Sequence, residues 1–271
     1  MNIKIYGSRG TMPFFGRDNL KYGGNTSCVK VTMGGQTIII DCGSGLAQAS
    51  KELGQSPLCL DVLVSHLHLD HIIGLGSFPQ AWNDEHYITF YTKSRDGRPL
   101  AEQLFGAFKP PYWPVDLARI NLAGVREIKE DEPFMLGGDV RVVPFASNHR
   151  DGTLAFRIEY IKEGKTLVHL LDHEMDYAPD KHEAMLRYCK GADLIVFDSA
   201  YTPEDYASKR GWGHSAYTDG IALAERANAK KLVFCHFDQK YSDAKLDGIA
   251  DGIDGIGSRF FIAYDGMELR L

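Results

Sequence analysis

Six consecutive positions, His66 to His71, hold three imidazoles and a carboxylate in the order His-x-His-x-Asp-His, directly after the apolar run Leu60 to Val64. That run predicts a buried strand, so the polar residues fall where the strand ends and its loop begins. A strand end fixes direction, while the loop stays free to converge on a common point. His66 and His68 lie two apart, so in extended backbone their side chains point the same way. Asp70 and His71 follow where the chain turns into a helix predicted over Ile72 to Ser77, and the change of direction lets them face a second point. Neutral imidazole and carboxylate are the usual ligands of zinc, iron and manganese. The spacing suits two neighbouring ions better than one; a polar surface loop would not explain the crowding.

Further donors occur downstream, each just past a β-type run: His149 in FASNHRDG, Asp172 in VHLLDHE and His236 in LVFCHFD. Seven ligands result. His66, His68 and His149 can serve one ion, Asp70, His71 and His236 the other, with Asp172 bridging the two. Such a site gathers neutral donors for two dications and needs carboxylates to offset their charge.

The rest of the chain predicts about twelve strands: 4–6, 29–33, 37–41, 61–64, 88–92, 140–145, 154–160, 166–170, 194–197, 231–234, 260–264 and 267–271. Besides Ile72 to Ser77, helices are predicted over Leu46 to Leu53, Leu100 to Ala107, His182 to Cys189, Thr218 to Ala227 and Asp243 to Gly252. Twelve strands are too many for one simple sheet, and their order suits two sheets packed face to face with helices outside. The 271 residues, with no linker, repeat or low-complexity tract, are expected to form one folded unit, residues 1–271.

Several function classes are disfavoured. No basic segment leading into an apolar stretch opens the chain and no long apolar run exists, so a cytoplasmic protein without membrane contact is expected. The five cysteines are scattered without a C-x-x-C spacing, which argues against a disulfide framework and a thiolate zinc site. A formal net charge of -6 offers no general basic surface for a long polyanion, so a small substrate is expected and no long nucleic acid.

With its ligand pattern, the chain resembles the metallo-β-lactamase superfamily, and within it the branch related to ribonuclease Z and cyclic-phosphate phosphodiesterases. The segments that carry the branch are GSRGTMP (Gly7 to Pro13), YGGNTSC (Tyr22 to Cys28), DCGSG (Asp41 to Gly45), PPYWPV (Pro110 to Val115), DSAYTPEDY (Asp198 to Tyr206) and GWGHS (Gly211 to Ser215). The likeness extends over nearly the whole chain. It implies an α/β fold, the αββα four-layer sandwich, and a dinuclear site with two divalent metal ions per chain. It further implies a phosphodiesterase acting on a cyclic nucleotide or another small phosphodiester through a metal-bridging hydroxide positioned by Asp70 and Asp172. Transfer RNA processing is disfavoured because no long Gly- and Lys-rich arm interrupts the motifs. A homodimer suits the branch, although no heptad run supplies one.

Other residues have two readings each. Asp41 resembles the aspartate that holds a ligating imidazole in one tautomer, or is a plain turn carboxylate. For His214 the resemblance implies contact with a substrate phosphate or help in protonating the leaving group; the other reading is a cap on the following helix. The Pro-rich FKPPYWPV stretch, Phe108 to Val115, is a lid or rim, or a packed connection. Gly7-Ser8-Arg9-Gly10 offers an anion its N–H groups and Arg9, or simply turns the chain. His86, His169 and His182 are read as structural or exposed.

Two departures from the family pattern stand out. Asp172 sits in LLDHE rather than a T-D-T-E-like context, so His173 could interfere or substitute. RDG after His149 replaces small residues and sets Arg150 and Asp151 near the opening. The main alternative to hydrolysis is a di-iron protein that binds or senses dioxygen, related to flavodiiron proteins but lacking their flavodoxin domain. The histidine at position 68, where those proteins usually carry glutamate, favours the hydrolase.

Overall fold

The computed structural model describes residues 1–54, 56–119, 124–175 and 179–271, with the side chains of 179–182 left aside. In the first sheet, β1 (Asn2–Gly7), β2 (Cys28–Met33), β3 (Gln36–Ile40), β4 (Cys59–Leu63), β5 (Tyr87–Thr92) and β6 (Gly124–Glu127) lie side by side in chain order. The second contains β7 (Phe134–Leu136), β8 (Val140–Ala146), β9 (Leu154–Tyr160), β10 (Lys165–Leu170), β11 (Leu194–Asp198), β12 (Leu232–Cys235) and β13 (Phe260–Ile262), again in chain order. The last strand, β14 (Met267–Arg270), returns to the first sheet and pairs antiparallel with β1.

Side-chain alternation explains the layering. Ile3, Ile5, Val29, Val31, Ile38 and Ile40 face the second sheet and share a cluster with Val142, Phe156 and Ile158. Their neighbours Tyr6, Cys28 and Ile39 point outward, where Leu46 and Ala49 of α1 (Leu46–Leu53) cover them. Period two therefore sends one set of residues between the sheets and the other under the helices. Strand β11 is buried at every position, as a strand covered on both faces should be.

Short α2 (Leu69–Ile72) and α3 (Leu100–Leu104) also belong to the first half. The second sheet is flanked by α4 (Pro179–Cys189), α6 (Tyr217–Arg226) and α7 (Asp243–Asp251), through Met185, Leu223, Leu246 and Ile249; the short α5 (Pro203–Tyr206) precedes α6. The result is the expected αββα sandwich. No helix among the described residues is long and apolar enough to cross a membrane.

Differences from the sequence expectations have local causes. The helix expected from Ile72 starts at Leu69, with His68 in extended backbone before it, so Asp70 and His71 lie inside the first turn. From Ile73 to Ser77 the chain tightens into a 3-10 helix. Strands β6 and β7 were not expected: β6 is a four-residue edge defined by its pairing with β5, and β7 a three-residue edge defined by β8. Helix α5 was also missed, although Thr202 caps it by accepting the Asp205 N–H and Pro203 occupies its first turn. In the Phe108 to Val115 stretch, Phe108 and Trp113 meet edge to face at 5.8 Å within the outer cluster of the first sheet. The stretch is thus anchored by Phe108 and Trp113, while Lys109 to Tyr112, Pro114 and Val115 are exposed, so both of its readings stay open.

Candidate metal centre

Donor residues collect at the ends of β4, β8, β10 and β12, which all point to one edge of the sandwich. Two groups form. The ligand atoms of His66, His68, His149 and Asp172 lie within 4.8 Å of one another, as do those of Asp70, His71, Asp172 and His236. In the first, His149 Nε2 is 3.3 Å from His68 Nδ1, and Asp172 Oδ1 lies 3.7 and 3.6 Å from the Nε2 atoms of His66 and His149. In the second, the Nε2 atoms of His71 and His236 are 3.3 Å apart, and Asp172 Oδ2 lies 2.8 and 3.2 Å from them. Asp172 thus offers one oxygen to each group.

The inward nitrogens are set by what the other ring nitrogen touches. His149 Nδ1 donates to the Gly213 carbonyl at 2.7 Å, which leaves the Nε2 lone pair facing the group. His71 Nδ1 donates to Asp41 Oδ2 at 2.8 Å, and the same carboxylate accepts the Ser65 N–H at 2.8 Å and the Ser65 hydroxyl at 2.9 Å. Asp41 therefore makes the contact with His71 that the first of its two readings calls for. Asp151, in the unusual RDG segment, lies 3.2 Å from His68 Nε2 and so turns Nδ1 inward. Asp41→Asn is expected to weaken metal binding about 10- to 100-fold, measured by competition with a chelator.

This donor set fits divalent cations. His66 Nε2 is buried without a hydrogen-bond partner, a costly arrangement that a cation would relieve. Burial holds the His66 and His149 rings below the usual histidine range, hence neutral and ready to ligate. His71 and His236 go the other way: burial disfavours their charge, but Asp172 and Asp70 outweigh it and draw protons onto them. A proton there answers the demand for positive charge that a metal ion would meet. The backbone is strained at the same place, with positive φ at Asp41 (60°), Asp172 (49°) and His236 (63°).

Beside the second group, His214 Nδ1 lies 2.7 Å from Asp198 Oδ2. Burial lowers the affinity of this ring for its proton, but the Asp198 charge and hydrogen bond prevail and push the pKa up to about 9. Asp198 also accepts the His173 and Ala200 N–H groups at 3.1 Å. Sequence reasoning missed Asp198, although it ends an apolar strand before small residues just as Asp41 does. His173 belongs to neither donor group; its Nδ1 accepts the Asn148 N–H at 3.0 Å and fastens the His149 loop. Glu174 accepts from Tyr206 Oη and from the Gly211 and Gly213 N–H groups at 2.7 to 2.9 Å, fixing the loop that carries His214.

Two glycines make room. A Cβ on Gly10 would lie 2.5 Å from the His236 ring, and one on Gly213, where φ is +88°, would lie 2.2 Å from His149 Nδ1. Arg9 is fully buried and donates to the Gly23 and Tyr241 carbonyls at 2.9 and 2.7 Å. In the Gly7–Gly10 turn the arginine thus gives Nε and Nη1 to backbone carbonyls, while its Nη2 is buried without a hydrogen-bond partner. Gly213→Ala is expected to displace His149 and remove metal from its group, read as ions per chain after dialysis.

His86 lies against the Leu58 N–H and Asn83, His169 is buried within β10, and the His182 side chain lies outside the described residues. The donor groups open into a cavity of about 700 Å³ lined also by Met12, Leu69, Arg150, Asp151, Trp212 and His214.

A family model described as the beta-lactamase superfamily domain matches residues 36–237, a span that includes all seven donors. Ribonuclease Z of Haloarcula marismortui is 20% identical over 308 aligned positions, covering 100% of this chain and 97% of the relative. Among solved structures, a diphosphatase from the PhnP family superposes with a TM-score of 0.72 at 18% identity, over 100% of this chain and 97% of its own. Zinc-bound PqqB from Methylobacterium extorquens gives a TM-score of 0.72 at 15% identity, with 100% of both chains covered.

Proposed function

Because the chain belongs to the beta-lactamase superfamily, we propose that it is a hydrolase of small phosphodiesters that works with two divalent cations. The observation that carries this reading is Asp172, whose two oxygens face two separate donor groups. His66, His68, His149 and Asp172 would hold one cation; Asp70, His71, His236 and Asp172 would hold the other. Imidazole and carboxylate suit zinc, iron and manganese. Once bound, such ions supply Lewis acidity toward phosphoryl oxygens and lower the pKa of water.

The chain's own groups do the rest. Asp70 and Asp172 orient the attacking water, and Asp70 is itself steadied by the Thr11 N–H at 2.8 Å. His214 lines the cavity with Nδ1 tied to Asp198, so its Nε2 proton is the one available to a departing alkoxide.

A second reading, cleavage of RNA, is favoured by the full-length likeness to a protein named Ribonuclease Z. That likeness speaks against ruling out a long nucleic acid. The small-substrate reading draws on the net charge of -6, and on an alignment of 308 positions against 271 residues, which means the relative has segments this chain lacks. Protein stripped and reloaded with zinc, manganese or ferrous iron should be assayed on 2′,3′- and 3′,5′-cyclic nucleotides and on a 3′-extended transfer RNA. Turnover of a cyclic nucleotide that stops with chelator supports the proposal. Turnover of RNA alone replaces it with the second reading. Turnover of neither, with an absorption band when the ferrous form meets air, leaves the dioxygen-binding alternative.

A further inference from the structure

Three large apolar side chains stay exposed in the lining of the cavity over the donor groups: Met12 (46%), Leu69 (51%) and Trp212 (56%). Exposed apolar residues scattered singly mean little, but these share one cavity, and each stands beside a residue that builds the metal centre. Met12 follows Thr11, whose N–H holds Asp70; Leu69 lies between His68 and Asp70; Trp212 precedes Gly213, whose carbonyl accepts from His149. The charged residues of the same lining, Asp70, Arg150, Asp151 and Asp172, belong to the donor groups or to the loop after His149. Charge and apolar surface thus come from different residues around one opening. The backbone that carries Trp212 is fixed on both sides. Gly211 and Gly213 have φ of +80° and +88° and give their N–H groups to Glu174 at 2.7 and 2.9 Å. The Lys209 ammonium lies 3.8 Å from the centre of the Trp212 ring, so a cation takes one face while the ring stays more than half exposed.

We propose that Trp212 sets substrate choice by stacking on a nucleobase carried by the phosphodiester, with Met12 and Leu69 completing the apolar part of the site. A cavity of about 700 Å³ has the size of a small-molecule site, and such sites pair apolar walls with a few polar groups that fix orientation. Here the donor groups take the phosphate and the indole takes the ring. An aromatic side chain on a fixed loop gives large contact area at low cost in conformational entropy. Every base has a π-face, so the site selects a substrate with a base over one without, rather than one base over another. The inference rests on the hydrolase reading above and narrows its substrates to diesters that carry a base.

The test compares adenosine 5′-monophosphate with ribose 5-phosphate, which keeps the sugar and phosphate but lacks the base. Binding to zinc-loaded protein is measured by calorimetry for the wild type and for Trp212→Ala, Trp212→Phe and Trp82→Ala, each first matched to the wild type in melting temperature and bound zinc. Trp82 is a comparably exposed tryptophan that does not line the cavity, and serves as the control. The wild type should bind the nucleotide about 5- to 100-fold tighter than the sugar phosphate, the scale of one base stacked on an aromatic side chain. That preference should vanish in Trp212→Ala, persist in Trp212→Phe and stay unchanged in Trp82→Ala. Equal binding of the two ligands by the wild type, a preference that survives Trp212→Ala, or a loss as complete in Trp212→Phe or Trp82→Ala would overturn the assignment. Turnover of bis(p-nitrophenyl) phosphate by the same wild-type protein reports separately on the hydrolase reading, since the binding comparison involves no turnover.

Discussion

Asp172→Ala is expected to leave less than one metal ion per chain and to cut phosphodiester turnover by at least about 10³-fold, the scale of losing a group that acts on transition-state charge. No other residue belongs to both metal-donor groups of four, so its removal takes one oxygen from each at once. The effect extends to the metal-free protein. Burial opposes a charge on this carboxylate, yet His236, His71 and His66 hold it well below the usual range. Without it, His71 and His236 keep only Asp70 as an inward acceptor, and their proton affinity should fall. Metal analysis after dialysis and a turnover assay give the two readouts. Two ions retained with full turnover would remove Asp172 from the centre of the account.

His214→Ala should behave differently, keeping both ions while losing about 10²- to 10⁴-fold in turnover, the range for a missing general acid. The two variants therefore separate holding metal from moving a proton. The pH dependence follows from Asp198. With a pKa raised to about 9, the imidazole is protonated through neutral pH and loses its proton as pH climbs through that value. Turnover should fall on the alkaline side, with the limb at or below about 9 because neighbouring cations disfavour an imidazolium. In Asp198→Asn the limb should move to lower pH, since the charge and hydrogen bond that raise the pKa are gone while burial remains. An unmoved limb would assign the proton to another group.

Much of the metal-binding edge could be read from the chain because each donor follows an apolar run, and a strand end with a short loop is a local signal. The same pattern located Asp41, and α1 was predicted over the residues it occupies. What escaped depends on contacts between residues far apart. Asp198 gains its role only by meeting His214, Asp151 by meeting His68, and Glu174 by receiving Gly211 and Gly213. Arg9 resembled an anion ligand in its Gly-rich turn because nothing local shows the Tyr241 carbonyl that accepts from it. Edge strands β6 and β7 were invisible for a similar reason: four and three residues make too short an alternation, and only a partner strand defines them.

The most direct test of the central claim is hydrolysis of bis(p-nitrophenyl) phosphate by metal-stripped protein as zinc, manganese or ferrous iron is added in known equivalents. Turnover that rises until two ions are bound per chain, and that is absent at every point for His68→Ala, is the predicted result. Two bound ions with no turnover under any of the metals, or turnover that ignores the metal, would contradict a dinuclear phosphodiesterase.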